Sequence, residues 1–306
     1  MAIQTVQAYL NGQWYTLTYN GGTGKYEATI TAPGTTSWNL PNNVYPMQVK
    51  ATNTAGTSVT VDTTDATVGN SLKLRVKETV KPTINITSPG AGSYVTNNRQ
   101  PIVFQLRDET GGSGIKITSL ALNIDGGAAV GNGSSGMVCT PVTNGYDCTY
   151  TPPSALSDGA HTVTINVSDN DDNTATQVSR SYTIDTVSPA LNVTNPPNGF
   201  LTNTPAITVQ GSTNDATSSS VTVTIKLNGV DQGSVPVVSG NFTKVITLAN
   251  GANTIVIRST DTAGKYTEVT LTGTLDTSIP VIESVTVTPN PVDAGASMIV
   301  SVVVSG

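Results

Sequence analysis

Apolar and polar residues alternate with a period of two along most of this chain, in runs of six to ten separated by Gly, Asn, Asp and Pro. The clearest runs are "YPMQVKAT" from Tyr45, "HTVTINVS" from His161 and "NTIVIRST" from Asn253. Alternation of this kind predicts half-buried β-strands. Aligning the three runs places Met47, Val163 and Ile255 in one core layer, and Val49, Ile165 and Ile257 in the next. The one histidine, His161, is read with Tyr45 and Asn253 as lying on the outward side.

Each run leads into a polar turn and a second alternating run, as in "VKATNTAGTSVTV" from Val49 and "VIRSTDTAGKYTEV" from Val256. The stretch "SDNDDNTAT" from Ser168 is the third such turn. It is not an EF-hand, because Thr174 and Arg180 stand where that loop needs Gly and Glu. Upstream, "YLNGQW", "NIDGGA" and "KLNGVD" carry the Asn-Gly or Asp-Gly pairs that favour tight hairpins, with "GKYEATI", "GYDCTYT" and "NFTKVITL" as returning strands.

A repeat frame follows from the junctions. "VKPTINITSPGAGSYVTNNRQPIVF" matches "VSPALNVTNPPNGFLTNTPAITV", with Pro82 opposite Pro189, Pro89 opposite Pro196 and Gly92 opposite Gly199; a third begins at "SIPVIESVTVTPNPVDAGASMIVSVVV". The spacing, about 100 residues, suits one sandwich per repeat. The expected division is an incomplete N-terminal β unit over 1–80, complete domains over 81–186 and 187–277, and the start of a further domain over 278–306. Here the chain resembles the bacterial immunoglobulin-like repeats, on "DGAHTVTINVSD", "TDTAGK" and the linkers "IDTVSP" and "LDTSIP". The expected fold is all-β: tandem immunoglobulin-like β-sandwich domains in an elongated array.

Composition narrows the function. Of 306 residues 11% are charged, the net charge is −6 and the pI is about 4.6. That removes the basic footprint of a nucleic-acid or anionic-membrane binder, and no apolar run is long enough for a spanning helix. "GNGSSG" at 131–136 fits a dinucleotide-binding pattern only formally, since it joins strands instead of opening a helix. With one histidine and no paired interior carboxylates, acid–base machinery is missing and no enzyme is expected.

Cys139 and Cys148 flank "TPVTNGYD", whose Asn144-Gly145 turn brings the thiols face to face across a hairpin. The reading is a disulfide, against two separate buried thiols. In the resembled fold the B–C and F–G loops share one end of the sandwich with the incoming linker. Asp185, Asp215 and Asp261 would then converge in the third unit, and Glu78, Asp108, Glu109 and Asp169 in the second. Such oxygens suit Ca²⁺, which some members of the resembled family bind between domains. The same acids also serve as solvated turn formers through Asx chemistry, and both readings stand.

The first unit starts late in its own fold, which leaves an open sheet edge as the expectation. Ile3, Val6, Ala8 and Leu10, with Leu72, Leu74 and Val76 of the run "LKLRVK", are the expected assembly contact of an anchoring N-terminal unit. The N-terminus has no secretory signal pattern and starts with Met1, so the expected setting is a bacteriophage or phage-tail-like virion assembled in the host cytoplasm. Its partners would be other virion proteins and bacterial surface glycans. The alternative is a cell-surface adhesin or stalk. A carbohydrate-binding accessory module would need exposed aromatics, and both tryptophans, Trp14 and Trp38, lie in the first unit.

Overall fold

The structure, a computed structural model, describes residues 2–217 and 220–306. It contains strands, two short 3₁₀ turns and no α-helix among the described residues. The β-branched, Gly-punctuated sequence leads to this directly, since alternating Val, Ile and Thr fit a pleated surface with one face buried.

The N-terminal part has strands β1 (Ile3–Leu10), β2 (Gln13–Asn20), β3 (Lys25–Glu27), β4 (Tyr45–Pro46), β5 (Gln48–Asn53), β6 (Ser58–Val61) and β7 (Lys73–Leu74). Five of them form one sheet in the order β3-β2-β1-β5-β6, and β4 pairs with β7. The Asn11-Gly12 turn between β1 and β2 has φ of 47° and 85°, the left-handed pair that a two-residue hairpin requires.

This arrangement corrects the expected open edge. β1 lies in the middle of the sheet, hydrogen-bonded to β2 on one side and β5 on the other, so its backbone offers no template to another chain. Ala8, Leu10 and Leu72 are buried, and Val6, Leu74 and Val76 are half-buried; of the expected contact residues only Ile3, at 43% exposure, is open. The "LKLRVK" run does fold back, but onto the segment 37–47, with the Met47 N–H donating to Leu72 O and the Ser37 N–H to Val76 O.

The first complete sandwich has β8 (Thr83–Ser88), β9 (Tyr94–Val95), β10 (Ile102–Arg107), β11 (Ile115–Ile124), β12 (Met137–Val142), β13 (Gly145–Tyr150), β14 (Gly159–Asp169) and β15 (Val178–Ile184). Its sheets run β12-β13-β10-β8 and β11-β14-β15-β9. Ile102, Phe104 and Leu106 face Leu122, Val163, Ile165 and Ile184 in a closed core. This sandwich and the N-terminal part form one compact unit ending at Ile184.

The second unit begins at Asp185. It has β16 (Ala190–Asn195), β17 (Phe200–Thr202), β18 (Ala206–Asn214), β19 (Thr222–Leu227), β20 (Val230–Val235), β21 (Val237–Val238), β22 (Asn241–Thr247), β23 (Gly251–Thr260) and β24 (Tyr266–Leu275). The sheets are β16-β18-β22-β21 and β17-β24-β23-β19-β20, closed over Val209, Ile225, Ile255 and Ile257. A hairpin of β25 (Val281–Thr288) and β26 (Ile299–Ser305) follows. It repeats the antiparallel pairs β8–β10 and β16–β18, each with one register shift.

The expected core layers are fully buried at Val163, Ile165, Ile255 and Ile257 and half-buried at Met47 and Val49. His161 departs from its expected outward place and is 6% exposed. The reason is the strand period itself, because a step of two from Val163 returns to the inward face. Its Nδ1 lies 2.6 Å from Asp125 Oδ2 and its Nε2 2.8 Å from Ser157 O. Both oxygens are acceptors, so these contacts favour the doubly protonated ring. Asn253 and Tyr45 hold the corresponding places, also buried, and tie neighbouring turns by their side chains.

Burial opposes the charge on His161, but the Ser157 carbonyl and the Asp125 carboxylate outweigh it and raise its pKa. This contribution to stability is complete below the unfolded value, about 6.5, and is lost as pH rises through the higher folded value. We expect His161→Gln to lower the melting temperature at pH 6 and to flatten its decline between pH 6 and 9. An unchanged pH profile in the variant contradicts this assignment.

Candidate metal centre

The polar turns at the ends of β5, β14 and β23 are built alike. At Asn53, Asp169 and Asp261 the backbone N–H donates to the carbonyl four residues on (Thr57, Asn173, Lys265), and that residue's N–H donates back to the side-chain oxygen. A short side chain that accepts from nearby backbone is what Asn and Asp supply in turns. In the two complete sandwiches the residue is Asp, so a carboxylate is fixed at the end of a core strand. In the N-terminal part it is the neutral Asn53.

Each fixed Asp meets two further acids. One oxygen each from Glu78, Asp108 and Asp169 lie within 4.8 Å of one another, and the same holds for Asp185, Asp215 and Asp261. The incoming linker supplies Glu78 and Asp185, the loop after β10 or β18 supplies Asp108 and Asp215, and the turn supplies the last member. All seven acids singled out in the sequence are therefore accounted for except Glu109. That residue lies beside the first trio without joining it; its carboxyl carbon and Asp108 Oδ2 would meet a Cβ at Gly112 at 2.8 and 2.6 Å. A side chain there would fill the cradle, so glycine keeps it open.

Backbone donors hold the carboxylates in place. Gly114 N–H donates to Asp108 Oδ2 at 2.6 Å, Ser113 N–H to Glu78 Oε1, Thr217 N–H to Asp215 Oδ1 at 2.8 Å and Lys265 N–H to Asp261 Oδ1 at 2.8 Å. Asp108, 8% exposed, keeps Oδ1 buried with no hydrogen-bond partner, and Asp261, 6% exposed, does the same with Oδ2. A buried anionic oxygen without a donor is costly unless a cation serves it. Oxygens on opposite sides of a calcium ion are separated by about twice its 2.3–2.6 Å bond length. The spacing of both trios fits that limit.

Electrostatics point the same way. Burial, together with the neighbouring Glu78, Asp169 and Asp171 carboxylates, raises the pKa of Asp108 against the lowering effect of the Gly114 N–H. Among the described residues neither trio contains a His, a thiol or a basic side chain.

Cys139 and Cys148 sit opposite each other on β12 and β13 and are joined as a disulfide, with Cα atoms 4.1 Å apart. The bond ties edge strand β12 to its neighbour.

Sheet order, closed double-layer cores and linker-facing turns define a chain of tandem immunoglobulin-like β-sandwich domains. Residues 82–165 match the bacterial Ig domain family, and residues 189–277 match domain B of glucodextranase. No curated protein matches the sequence. Among solved structures, the chain is similar to an I-band fragment from titin at 12% identity, over 89% of this chain and 87% of that one, with a TM-score of 0.43. It is also similar to fibronectin(III)-like modules of Clostridium thermocellum CbhA at 12% identity, over 63% and 94% of the two chains, with a TM-score of 0.39. Tandem domains of this type have structural or adhesion-type roles, and the fold is typically non-catalytic.

Two outcomes follow from the geometry. In calcium-free buffer, Asp108→Asn is expected to raise the melting temperature, because it removes one of several crowded charges. The wild-type contribution of Asp108 has the matching sign: destabilising at neutral pH and relieved as pH falls through its raised pKa. A variant that melts below wild type in EDTA would refute the crowding argument. Separately, Cys139→Ser with Cys148→Ser is expected to cost about 2 to 3 kcal/mol, the chain-entropy value for so short a loop, read from urea unfolding under oxidising conditions.

Proposed function

We propose that this chain is a non-enzymatic structural protein of a bacteriophage or phage-tail-like particle, with its sandwiches making weak contacts with the bacterial surface. The observation that carries a structural role is the placing of the buried ionisable groups. The carboxylates of the two trios gather at linker-facing turns, and His161 is held between a carboxylate and a carbonyl, so these groups serve turn and linker geometry. The Cys139–Cys148 bond supports exposure outside a reducing cytosol. That same bond favours the second reading, a bacterial cell-surface adhesin or stalk.

Both readings are compatible with weak calcium binding, which we propose for the trios Glu78, Asp108, Asp169 and Asp185, Asp215, Asp261, with no cofactor required for the fold. Calcium would neutralise carboxylates that otherwise repel and fix each linker to the sandwich it enters. At a concentration tenfold to a hundredfold above Kd the gain is roughly 1.4 to 2.7 kcal/mol per site. We expect melting in calcium to exceed melting in EDTA, with Asp261→Asn removing part of the difference; identical curves would reduce both trios to turn formers. Mass spectrometry of purified particles against purified cell envelopes from the same culture separates the virion reading from the adhesin reading.

A further inference from the structure

Beside the first carboxylate trio, within the compact unit that ends at Ile184, there is a small cleft of about 150 Å³. Three separate segments line it. Trp38 and Asn43 come from the stretch before β4, Arg75 and Lys77 from the strap after β7, and Asn170 and Asp172 from the turn after β14. We infer that this cleft is a binding site for a single acidic sugar ring, a hexuronate-type residue of a bacterial surface polysaccharide. The inference deepens the proposed glycan contact and rests on it for its biological setting, while the site itself is argued from its own chemistry.

Trp38 is 38% exposed and gives the cleft an aromatic wall. A pyranose ring has an apolar C–H face that packs on such a wall and hydroxyls that need polar partners at its rim. Asn43 supplies an amide. The Asn170 amide nitrogen donates to Ser113 O and Gly114 O, and its side-chain oxygen is an acceptor at a residue lining the cleft.

The lining leaves one cation unpaired despite its two aspartates, provided the adjacent trio's charge is taken up by the proposed calcium. Asp171 is already served, its carboxylate by Thr36 Oγ1 and by the Glu78 N–H at 3.1 Å, and its carbonyl by Lys77 Nζ at 3.0 Å. Asp172 is paired with Lys116 at 2.8 Å and with Lys77 at 3.6 Å. Arg75 has no ion-pair partner among the described residues. Its planar guanidinium is suited to a carboxylate, which it can hold through two parallel hydrogen bonds.

Size sets the rest. The volume equals that of about five waters at liquid density, room for one ring with the chain leading away on either side. A bare inorganic anion would leave the aromatic wall unused, and a neutral sugar would leave Arg75 unused.

The test is a titration of the whole chain carrying Trp14→Phe, so that Trp38 is the single tryptophan reporter. Sodium glucuronate and glucose serve as probes, with sodium sulfate as the anion control. The expected result is a saturable change in Trp38 emission with glucuronate, at least tenfold weaker with glucose or sulfate, and abolished by Arg75→Ala with the melting temperature unchanged. Equal responses to glucuronate and sulfate, no saturable response, or full binding by the Arg75 variant would each overturn the inference. Failure here leaves the particle assignment untouched, since that is read from the protein content of purified particles; failure of that assignment leaves the titration unaffected.

Discussion

Acidic side chains held within 4.8 Å of one another, two of each three buried, are the constraint around which the linker end of each complete sandwich is organised. Left to itself such a trio drives its members apart, and the backbone prevents this. Every acid of the two trios sits on a segment whose direction is set elsewhere: the turn by a core strand, the loop by the first sheet, the linker by the entry of the chain. The hydrophobic cores formed by Phe104, Leu122 and Val163, or by Val209, Ile225 and Ile255, fix those directions. Packing between the sheets therefore holds charge at the end of the domain, and a cation there would act on the linker without touching the core.

The Asp at the end of β14 or β23 performs two separable tasks. One oxygen closes the hairpin turn by accepting a backbone N–H, and the carboxylate as a whole brings its charge to the trio. Asn53 closes its turn just as well with an amide and brings no charge. The turn thus needs a short side chain with an acceptor, whereas the cluster needs an anion. This separates the geometry of the repeat from its chemistry.

Much of this was legible in the sequence. Period-two runs gave the core at Val163, Ile165, Ile255 and Ile257, and turn chemistry gave the repeat frame, from which the convergence of linker, loop and turn acids follows. What could not be read was of two kinds. The sheet order of the N-terminal part depends on which strands pair across long sequence separations, and no local pattern reveals that β5 closes the far edge of β1. The Trp38 cleft depends on a strap and a turn almost a hundred residues apart meeting in space, joined by Lys77 to Asp171 and Asp172. His161 is a different matter, since the strand period already placed it inward.

The disulfide on β12 and β13 has a mechanical side. A chain that links two bodies transmits tension along its backbone, and a sandwich that yields lengthens by the contour of every residue it frees. Between Cys139 and Cys148, nine positions apart, the backbone is short-circuited by a covalent bridge that carries the load past the hairpin. The first sandwich, once pulled open, extends about 3 nm less than its residue count implies, at roughly 3.3 to 3.6 Å per residue. The loop between the two cysteines stays covalently closed in the stretched thread.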